Sequence, residues 1–203
     1  MVLVVDYKMN NLGSLRRSLE LCGGNVVISD HPQDLEGANK IILPGIGAFP
    51  DAMRNLTHQG WIPALKKEVL ENKKPLLGIC LGMQLLADVG FEVEKCTGLG
   101  LIPGHVKKLV STHSHERIPH VGWNEISIIK KNKLFETIPQ GSDFYFVHSY
   151  HIFPDDKDVI VCTTPYCTSF VSAVNKDNIF GVQFHPEKSS SLGFTLLKNF
   201  LEM

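Results

Sequence analysis

One cysteine in this chain lies in a pattern that suits a catalytic nucleophile. Cys80 is the centre of Gly78-Ile-Cys80-Leu-Gly82, a G-x-C-x-G sequence. The apolar run Leu76–Ile79 leads into the cysteine and a helix-like stretch, residues 81–87, follows it, which is the strand–turn–helix context of a nucleophile elbow. Because the start of such a helix directs N–H groups and the positive end of its dipole at the sulfur, the thiolate is favoured there.

A His-Pro-Glu triplet near the end of the sequence supplies the base and the acid that a cysteine nucleophile requires. Pro186 biases His185 towards an extended backbone, in which residues two apart point to the same side. Glu187 can then hold one imidazole nitrogen while the other nitrogen faces Cys80. Either motif alone also fits a structural cysteine or an ordinary His-Pro turn, but together they favour a Cys-His-Glu catalytic triad.

A glycine-containing loop completes this candidate site. The short apolar strand Lys40–Leu43 ends in Pro44-Gly45-Ile46-Gly47. Glycines allow close approach of the backbone and unusual φ angles. The loop can therefore aim an N–H group at a developing oxyanion, together with the N–H of Leu81. Taken alone, a P-G-x-G sequence is more often a plain loop.

Apolar periodicity predicts the elements that must position these residues. In the first half, strands are predicted at Val2–Val5, Val26–Ser29, Lys40–Leu43 and Leu76–Ile79, and helices at residues 11–22, 61–72 and 81–87. Strands that alternate with helices indicate a parallel sheet covered on both faces. The carboxyl ends of such strands are where open α/β sheets bind their ligands, and Cys80 follows one of them.

The second half has a different texture. From about residue 104, strand-like segments are joined by short polar turns, at residues 106–110, 123–129, 143–152, 159–163, 169–175 and 179–184, before a closing helix at 192–201. We therefore predict one domain over residues 1–203, with an α/β fold: a mostly parallel central sheet, flanked by helices, with an antiparallel extension.

Composition excludes several classes of protein. With 43% hydrophobic and 20% charged residues, the chain reads as soluble and globular, and its formal net charge of −1 gives no footprint for nucleic acid. The apolar runs are too short to span a bilayer, and no basic segment precedes the first one, as a signal peptide would require. Five irregularly spaced cysteines without a C-x-x-C pair predict a reducing, cytoplasmic location.

Two groups of histidines could be interpreted as a metal site. His113, His115 and His120 lie in one polar stretch, and His148 and His151 in another. Their spacing matches no standard zinc pattern, so we predict loop histidines and no metal.

In this order and spacing, the three motifs resemble those of the class I (triad) glutamine amidotransferases. Three further segments resemble the family of glutaminase subunits of imidazole glycerol phosphate synthase. They are Asp6-Tyr7 with Asn11-Leu12, the glycine-rich residues 98–104, and Pro119-His-Val-Gly-Trp-Asn124. Together the motifs span nearly the whole chain.

The resemblance implies a reaction, the hydrolysis of L-glutamine to glutamate and ammonia without a cofactor. In it Cys80 attacks the side-chain amide, His185 transfers protons, and Glu187 orients His185. The residues that the resemblance places around the substrate are Gly45, Gly47, Leu81, Gln84, Glu92, Ser149 and Tyr150. Glu92 is assigned by its distance from Cys80, although Phe91-Glu92-Val93 departs from the acidic run that is usual in the family.

The resemblance also implies a partner, a (β/α)8 cyclase subunit that forms a heterodimer with the glutaminase and uses the ammonia in histidine biosynthesis. Tyr7, Met9, Asn10, Asn11 and Trp123 are the residues it places at this interface. The alternative interpretations are that Trp123 is a core residue and that the loop around Met9 is merely exposed.

Two other functions stay open. One is a paralogous glutaminase that supplies ammonia to another synthase, for example in amidino-sugar synthesis for a surface polysaccharide. The other is a non-catalytic regulatory module on the same fold, against which the intact triad argues. A departure in the loop after the first strand supports the paralogue, although histidine biosynthesis stays the first choice. The family usually has D-Y-G-x-G-N there, whereas Lys8 and Asn10 replace the glycines in this chain.

Overall fold

The computed structural model describes residues 1–9, 11–112 and 116–203 of the chain. Asn10, predicted at a partner interface, and His113 and His115, weighed as metal ligands, lie outside the described residues. The helices are α1 (Leu12–Leu21), α2 (Phe49–His58), α3 (Trp61–Lys66), α4 (Leu81–Leu85) and α5 (Ser190–Glu202). Within the described part of the chain, no helix has the length and apolar character that crossing a bilayer demands.

Thirteen strands are found in the described residues. In chain order they are β1 (Val2–Val5), β2 (Val26–Ser29), β3 (Lys40–Leu43), β4 (Leu76–Ile79), β5 (Val89–Gly90), β6 (Cys96–Thr97), β7 (Gly104–Lys108), β8 (His120–Ile128), β9 (Ser142–His148), β10 (Tyr150–Pro154), β11 (Ile160–Thr164), β12 (Phe170–Lys176) and β13 (Ile179–Val182). Nine of them form the main sheet, in the order β2-β1-β3-β4-β13-β12-β11-β8-β9. The other four form a small sheet, β10-β7-β5-β6.

The main sheet joins a parallel half to an antiparallel half. All neighbours from β2 to β13 run parallel, and all neighbours from β13 to β9 run antiparallel. The predicted α/β class, with a parallel core and an antiparallel extension, is confirmed. The parallel strands are short and apolar because helices cover both of their faces.

Core residues divide between the two faces of the sheet as the strand period requires. Leu3 packs in the layer that contains Trp61, and Val4 packs in the layer that contains Leu197. Alternate residues of one strand thus anchor helices on opposite sides. This double covering holds the carboxyl ends of β3, β4 and β13 in fixed positions.

One predicted strand, residues 143–152, is wrong as a single element. The structure divides it at Ser149 into β9, which pairs with β8 in the main sheet, and β10, which pairs with β7 in the small sheet. Leu109 donates a backbone hydrogen bond of 2.8 Å to the carbonyl of Ser149 at the crossing. The break directs Ser149 and Tyr150 to the edge where Cys80 lies.

Two helical regions also differ from the prediction. α2 was not predicted, although Phe49, Met53 and Leu56 have helical spacing and are buried, and Pro50 occupies its first turn. The predicted helix at residues 61–72 is α3 followed by a π-helical turn, Lys67–Glu71.

Glu68 in that π-helical turn forms a nearly buried ion pair with Lys74, which follows the turn. Lys74 Nζ lies 2.7 Å from a carboxylate oxygen of Glu68, whose side chain is 3% exposed. Lys74 also donates to the carbonyls of Leu35 and Glu36, and Asn72 donates to the Glu68 carboxylate. The pKa of Glu68 is lowered chiefly by the hydrogen bond from Lys74 and next by the one from Asn72.

We expect Glu68→Gln to lower the free energy of unfolding by about 2 kcal/mol at pH 7, because it leaves a shielded ammonium without its counter-ion. Since the pKa of Glu68 is lower in the folded chain than in the unfolded one, this contribution is present above the unfolded pKa. It disappears as the pH falls through the folded pKa. Urea unfolding at several pH values measures it. The control is Glu71→Gln, at an exposed position, and equal losses from the two variants at pH 7 would contradict the assignment.

Candidate active site

The elbow at Cys80 has the geometry that its sequence predicts. Cys80 lies between β4 and α4 with φ 54° and ψ −110°, a conformation that costs energy for any residue other than glycine. Its N–H donates a 2.8 Å hydrogen bond to the carbonyl of Val182 on β13. The strained turn therefore lifts the thiol out of the sheet edge and is fixed by the neighbouring strand.

Close packing explains the two glycines around the cysteine. A Cβ atom on Gly82 would lie 1.8 Å from the carbonyl oxygen of Leu43, at the end of β3. A Cβ on Gly78 would lie 2.7 Å from the carbonyl oxygen of Gly82. The elbow thus requires hydrogen at both positions in order to rest on β3.

His185 and Glu187 follow β13 and form the predicted pair. Nδ1 of His185 lies 2.8 Å from Oε1 of Glu187, and both side chains are almost fully buried. Nε2 of His185 has no hydrogen-bond partner among the described residues, which leaves it available to the cysteine and a substrate. Burial lowers the pKa of His185, but the Cys80 sulfur and then the Glu187 carboxylate outweigh it, and the net shift is upwards. The raised pKa favours the protonated imidazole of His185, which can donate a proton to a leaving group.

A pocket of about 260 Å³ opens beside this pair. Both Cys80 and His185 line it. Of the seven residues predicted to bind substrate, it is also lined by Gly47, Leu81, Gln84, Glu92, Ser149 and Tyr150. Ile46, Pro119, Val147 and His148 line it too and were not among the predicted site residues.

The fold and this geometry agree with comparisons to known proteins. The family described as glutamine amidotransferase class-I matches residues 3–203. The chain belongs to the class I glutamine amidotransferases. A solved structure titled "Crystal structure of glutamine amidotransferase" matches the whole chain and 98% of its own chain, with a TM-score of 0.77 and 18% sequence identity. At 18% sequence identity, this similarity shows a shared fold only.

Two curated relatives match over their full or nearly full length. "Imidazole glycerol phosphate synthase subunit HisH 1" of Campylobacter jejuni is 46% identical over 203 residues, which cover all of both chains. "Imidazole glycerol phosphate synthase subunit HisH" of Moorella thermoacetica is 46% identical over 202 residues, which cover all of this chain and 94% of the relative.

A buried glutamine connects the nucleophile of this amidotransferase to its pocket wall. Gln183 Nε2 lies 3.7 Å from the sulfur of Cys80. Its Oε1 accepts a 3.1 Å hydrogen bond from Gln84, which also donates one of 2.8 Å to the carbonyl of Tyr150. Sequence reasoning missed Gln183, although a polar residue two positions before His185 in an apolar strand was a usable signal.

Two residues predicted at the surface of the site lie behind it instead. Tyr7 is fully buried and its hydroxyl donates a 2.8 Å hydrogen bond to the carbonyl of Pro44. A Cβ on Gly45 would lie 2.2 Å from that hydroxyl, and Gly45 does not line the pocket. Tyr7 therefore exposes no surface to a partner, and a contact of Gly45 with substrate stays a prediction. Both residues support the loop from below.

The loop that contains Gly47 is also held by the segment after β1. The N–H of Ile46 donates a 3.0 Å hydrogen bond to the carbonyl of Met9, and Gly47 has φ 99°. A Cβ atom on Gly47 would lie 2.8 Å from the methyl carbon of Met9. Asn11 is exposed beside a small cleft that Glu187 also lines.

Glu92 has a structural contact in addition to its place in the pocket. Its carboxylate accepts a 2.7 Å hydrogen bond from the N–H of Phe49, the first residue of α2. A carboxylate at a helix N-terminus is stabilised by the free N–H groups and the helix dipole. Glu92 therefore joins α2 to the pocket wall.

Three of the histidines that were weighed as metal ligands lie among the described residues, and they are buried in strands rather than placed in loops. His120, His148 and His151 have low exposure, and His120 and His148 lie opposite each other on β8 and β9. Within residues 1–9, 11–112 and 116–203, no group of three or more His, Cys, Asp or Glu side chains is arranged to hold a metal ion.

Proposed function

We propose that this chain is the glutaminase subunit of imidazole glycerol phosphate synthase, and that it acts in the cytoplasm. It hydrolyses L-glutamine and passes the ammonia to a separate (β/α)8 cyclase subunit in histidine biosynthesis. The observation that carries the proposal is the juxtaposition of Cys80, His185 and Glu187 beside a pocket lined by the predicted glutamine-binding residues. The printed names of the full-length relatives support the pathway.

The reaction follows from the triad geometry. The Cys80 thiolate attacks the amide carbon of glutamine, and the N–H of Leu81 and the loop at Gly47 stabilise the oxyanion. The imidazolium of His185 donates its proton to the leaving nitrogen, which departs as ammonia and leaves a thioester. His185 then takes a proton from water, and the resulting attack releases glutamate and restores the thiolate. A non-catalytic module would have no use for this arrangement.

Ammonia must reach its acceptor unprotonated, so the pocket requires a partner that covers it. An apolar strip leads from the pocket along β8 and β9, formed by Val121, Trp123, Tyr145 and Val147. The strand register sets Trp123 opposite Tyr145 and Val121 opposite Val147, so that the four side chains share one face. Trp123 is 54% exposed, which excludes the alternative that it is a core residue, and Val147 also lines the pocket.

We expect Trp123→Ala to weaken binding of the cyclase subunit by about thirtyfold, because exposed aromatic residues are the usual anchors of interfaces. Stability of the free chain should change little, since the indole is half exposed. A titration with the cyclase subunit of the same source measures the loss. The control is Ile129→Ala, at a residue 58% exposed beyond the other end of β8, and equal affinity of the two variants would remove Trp123 from the interface.

A second candidate is a paralogous glutaminase that serves another synthase, and Lys8 is the observation that favours it. Lys8 has a φ of 68°, where the family pattern has glycine. Its N–H donates to Asp6 and its ammonium lies 2.9 Å from a carboxylate oxygen of Asp30. A charged side chain is thereby added to a loop that we assign to the partner surface.

Complementation separates the two candidates. The chain is expressed in a histidine auxotroph that lacks its own glutaminase subunit, together with the cyclase subunit from the same source. Growth without histidine is the result expected from the histidine pathway. Failure to grow, while the same pair releases glutamate from glutamine, would favour the paralogue.

A further inference from the structure

Two buried histidines outside the triad form a chain of hydrogen bonds that ends at the pocket. Nδ1 of His148 lies 2.9 Å from the carbonyl oxygen of Tyr150. Nε2 of His148 lies 3.2 Å from Nδ1 of His120. Nε2 of His120 lies 3.3 Å from the side-chain nitrogen of Asn124. None of these contacts is required by the proposed reaction.

The direction of every proton in this chain follows from chemistry. A carbonyl only accepts, so Nδ1 of His148 must carry a proton. Burial lowers the pKa of His148 to about 3, which makes the ring neutral and leaves Nε2 as an acceptor. His120 must then donate from Nδ1.

Asn124 terminates the chain consistently. Burial lowers the pKa of His120 to about 4, so its Nε2 is also an acceptor. The side-chain oxygen of Asn124 accepts from the N–H of Glu125 at 2.9 Å, which identifies the other atom as the nitrogen. That nitrogen donates to His120 and to the carbonyl of Pro165. All donors and acceptors are matched only when both imidazoles are neutral and protonated on Nδ1.

The chain converges with the catalytic centre at one atom. The carbonyl of Tyr150 accepts from His148 and also from Gln84, which leads through Gln183 to Cys80. This carbonyl comes directly after the break between β9 and β10 that brings Ser149 and Tyr150 to the pocket. The backbone at this break is therefore held from one side by the histidines and from the other by the glutamines.

We propose that His120 and His148 are positioning residues, a neutral pair that fixes the Ser149–Tyr150 backbone in the wall of the pocket that binds glutamine. The inference rests on the proposed glutaminase function. His120 does not line the pocket and acts through His148, and both are held in place by the aromatic rings of Phe146 and Phe170.

The tautomers are tested directly on the unmodified chain. Histidine-selective ¹⁵N labelling and two-bond nitrogen–proton spectra at pH 7 distinguish neutral rings protonated on Nδ1, neutral rings protonated on Nε2, and imidazolium. We expect His120 and His148 to be neutral and protonated on Nδ1. A proton on Nε2 of either ring at pH 7 would overturn the proposal.

Kinetics of two His120 variants test the role in binding. His120→Phe keeps a ring but leaves the acceptor of His148 without a donor, and His120→Asn places an amide nitrogen near the position of Nδ1. In the complex with the cyclase subunit, we expect His120→Phe to raise the KM for glutamine roughly tenfold with kcat changed much less. His120→Asn should stay within about threefold of the unmodified enzyme in KM.

A control variant and distinct outcomes test the role of the histidine pair separately from the proposed glutaminase function. His31→Phe, at an exposed histidine outside the pocket, should leave both constants unchanged. An unmodified complex that fails to hydrolyse glutamine would contradict the proposed function, and the tautomers would still decide the histidine pair. An active complex in which His120→Phe keeps its KM, or His120→Asn loses as much as His120→Phe, would overturn the pair alone.

Discussion

Cys80→Ser should lose glutamine hydrolysis by at least about a thousandfold while the chain stays folded. The hydroxyl of serine is far less acidic and less nucleophilic than a thiol, so its attack on the amide would require His185 to remove its proton first. The elbow itself would survive, because its packing depends on Gly78 and Gly82. Glutamate release in the complex with the cyclase subunit is the measurement.

The other cysteines provide the control for this prediction. All five are free thiols, and Cys22 and Cys96 are partly exposed and do not line the pocket. Cys22→Ser and Cys96→Ser should keep normal turnover. Substantial hydrolysis by Cys80→Ser, or loss of activity in either control, would mean that the nucleophile has been assigned wrongly.

The second large effect is expected at the acid of the triad. Glu187→Gln should lower kcat by roughly a thousandfold, because a neutral amide neither stabilises the imidazolium nor fixes its tautomer. The carboxylate is one of the groups that raise the pKa of His185. Its removal lowers that pKa, so the alkaline limb of the pH–rate profile should move to lower pH.

A pH profile of kcat for three enzymes checks this prediction. Glu187→Asp keeps the charge at a shorter reach and should retain more activity than Glu187→Gln. Its alkaline limb should lie between those of Glu187→Gln and the unmodified enzyme. An unshifted limb in Glu187→Gln would mean that Glu187 does not act on His185, whatever happens to the rate.

The parallel half of the fold was predictable because its information is local. The strands Val2–Val5, Val26–Ser29, Lys40–Leu43 and Leu76–Ile79 are short apolar runs bounded by polar residues or turns, and the structure gives them the predicted bounds. Cys80 was recognised for the same reason, since an elbow needs its glycines within two residues of the nucleophile.

The rest depended on contacts between distant segments. Nothing in the alternation of residues 143–152 indicates that β9 pairs with β8 while β10 pairs with β7, because side-chain periodicity does not identify a strand's partner. The loop after β1 has a polar sequence, yet Tyr7 is buried because its hydroxyl has an acceptor at Pro44, far along the chain.

Burial of the two histidines also depends on contacts between distant segments. His120 and His148 were predicted as loop histidines because their spacing matches no zinc pattern, although His148 lies within the predicted strand at residues 143–152. Burial became possible because each is the hydrogen-bond partner of the other, across two strands that are separated by residues 129–141. Such pairing can be deduced only once the strand register is known.

The central claim, that this amidotransferase cleaves glutamine through Cys80, is tested most directly by covalent labelling. The chain, in complex with the cyclase subunit, is treated with a glutamine analogue that carries a diazoketone in place of the amide. Intact mass and peptide mapping then locate the adduct. We predict one adduct per chain, on Cys80, and its suppression by excess glutamine. No adduct, or an adduct on another residue that glutamine does not suppress, would contradict the claim.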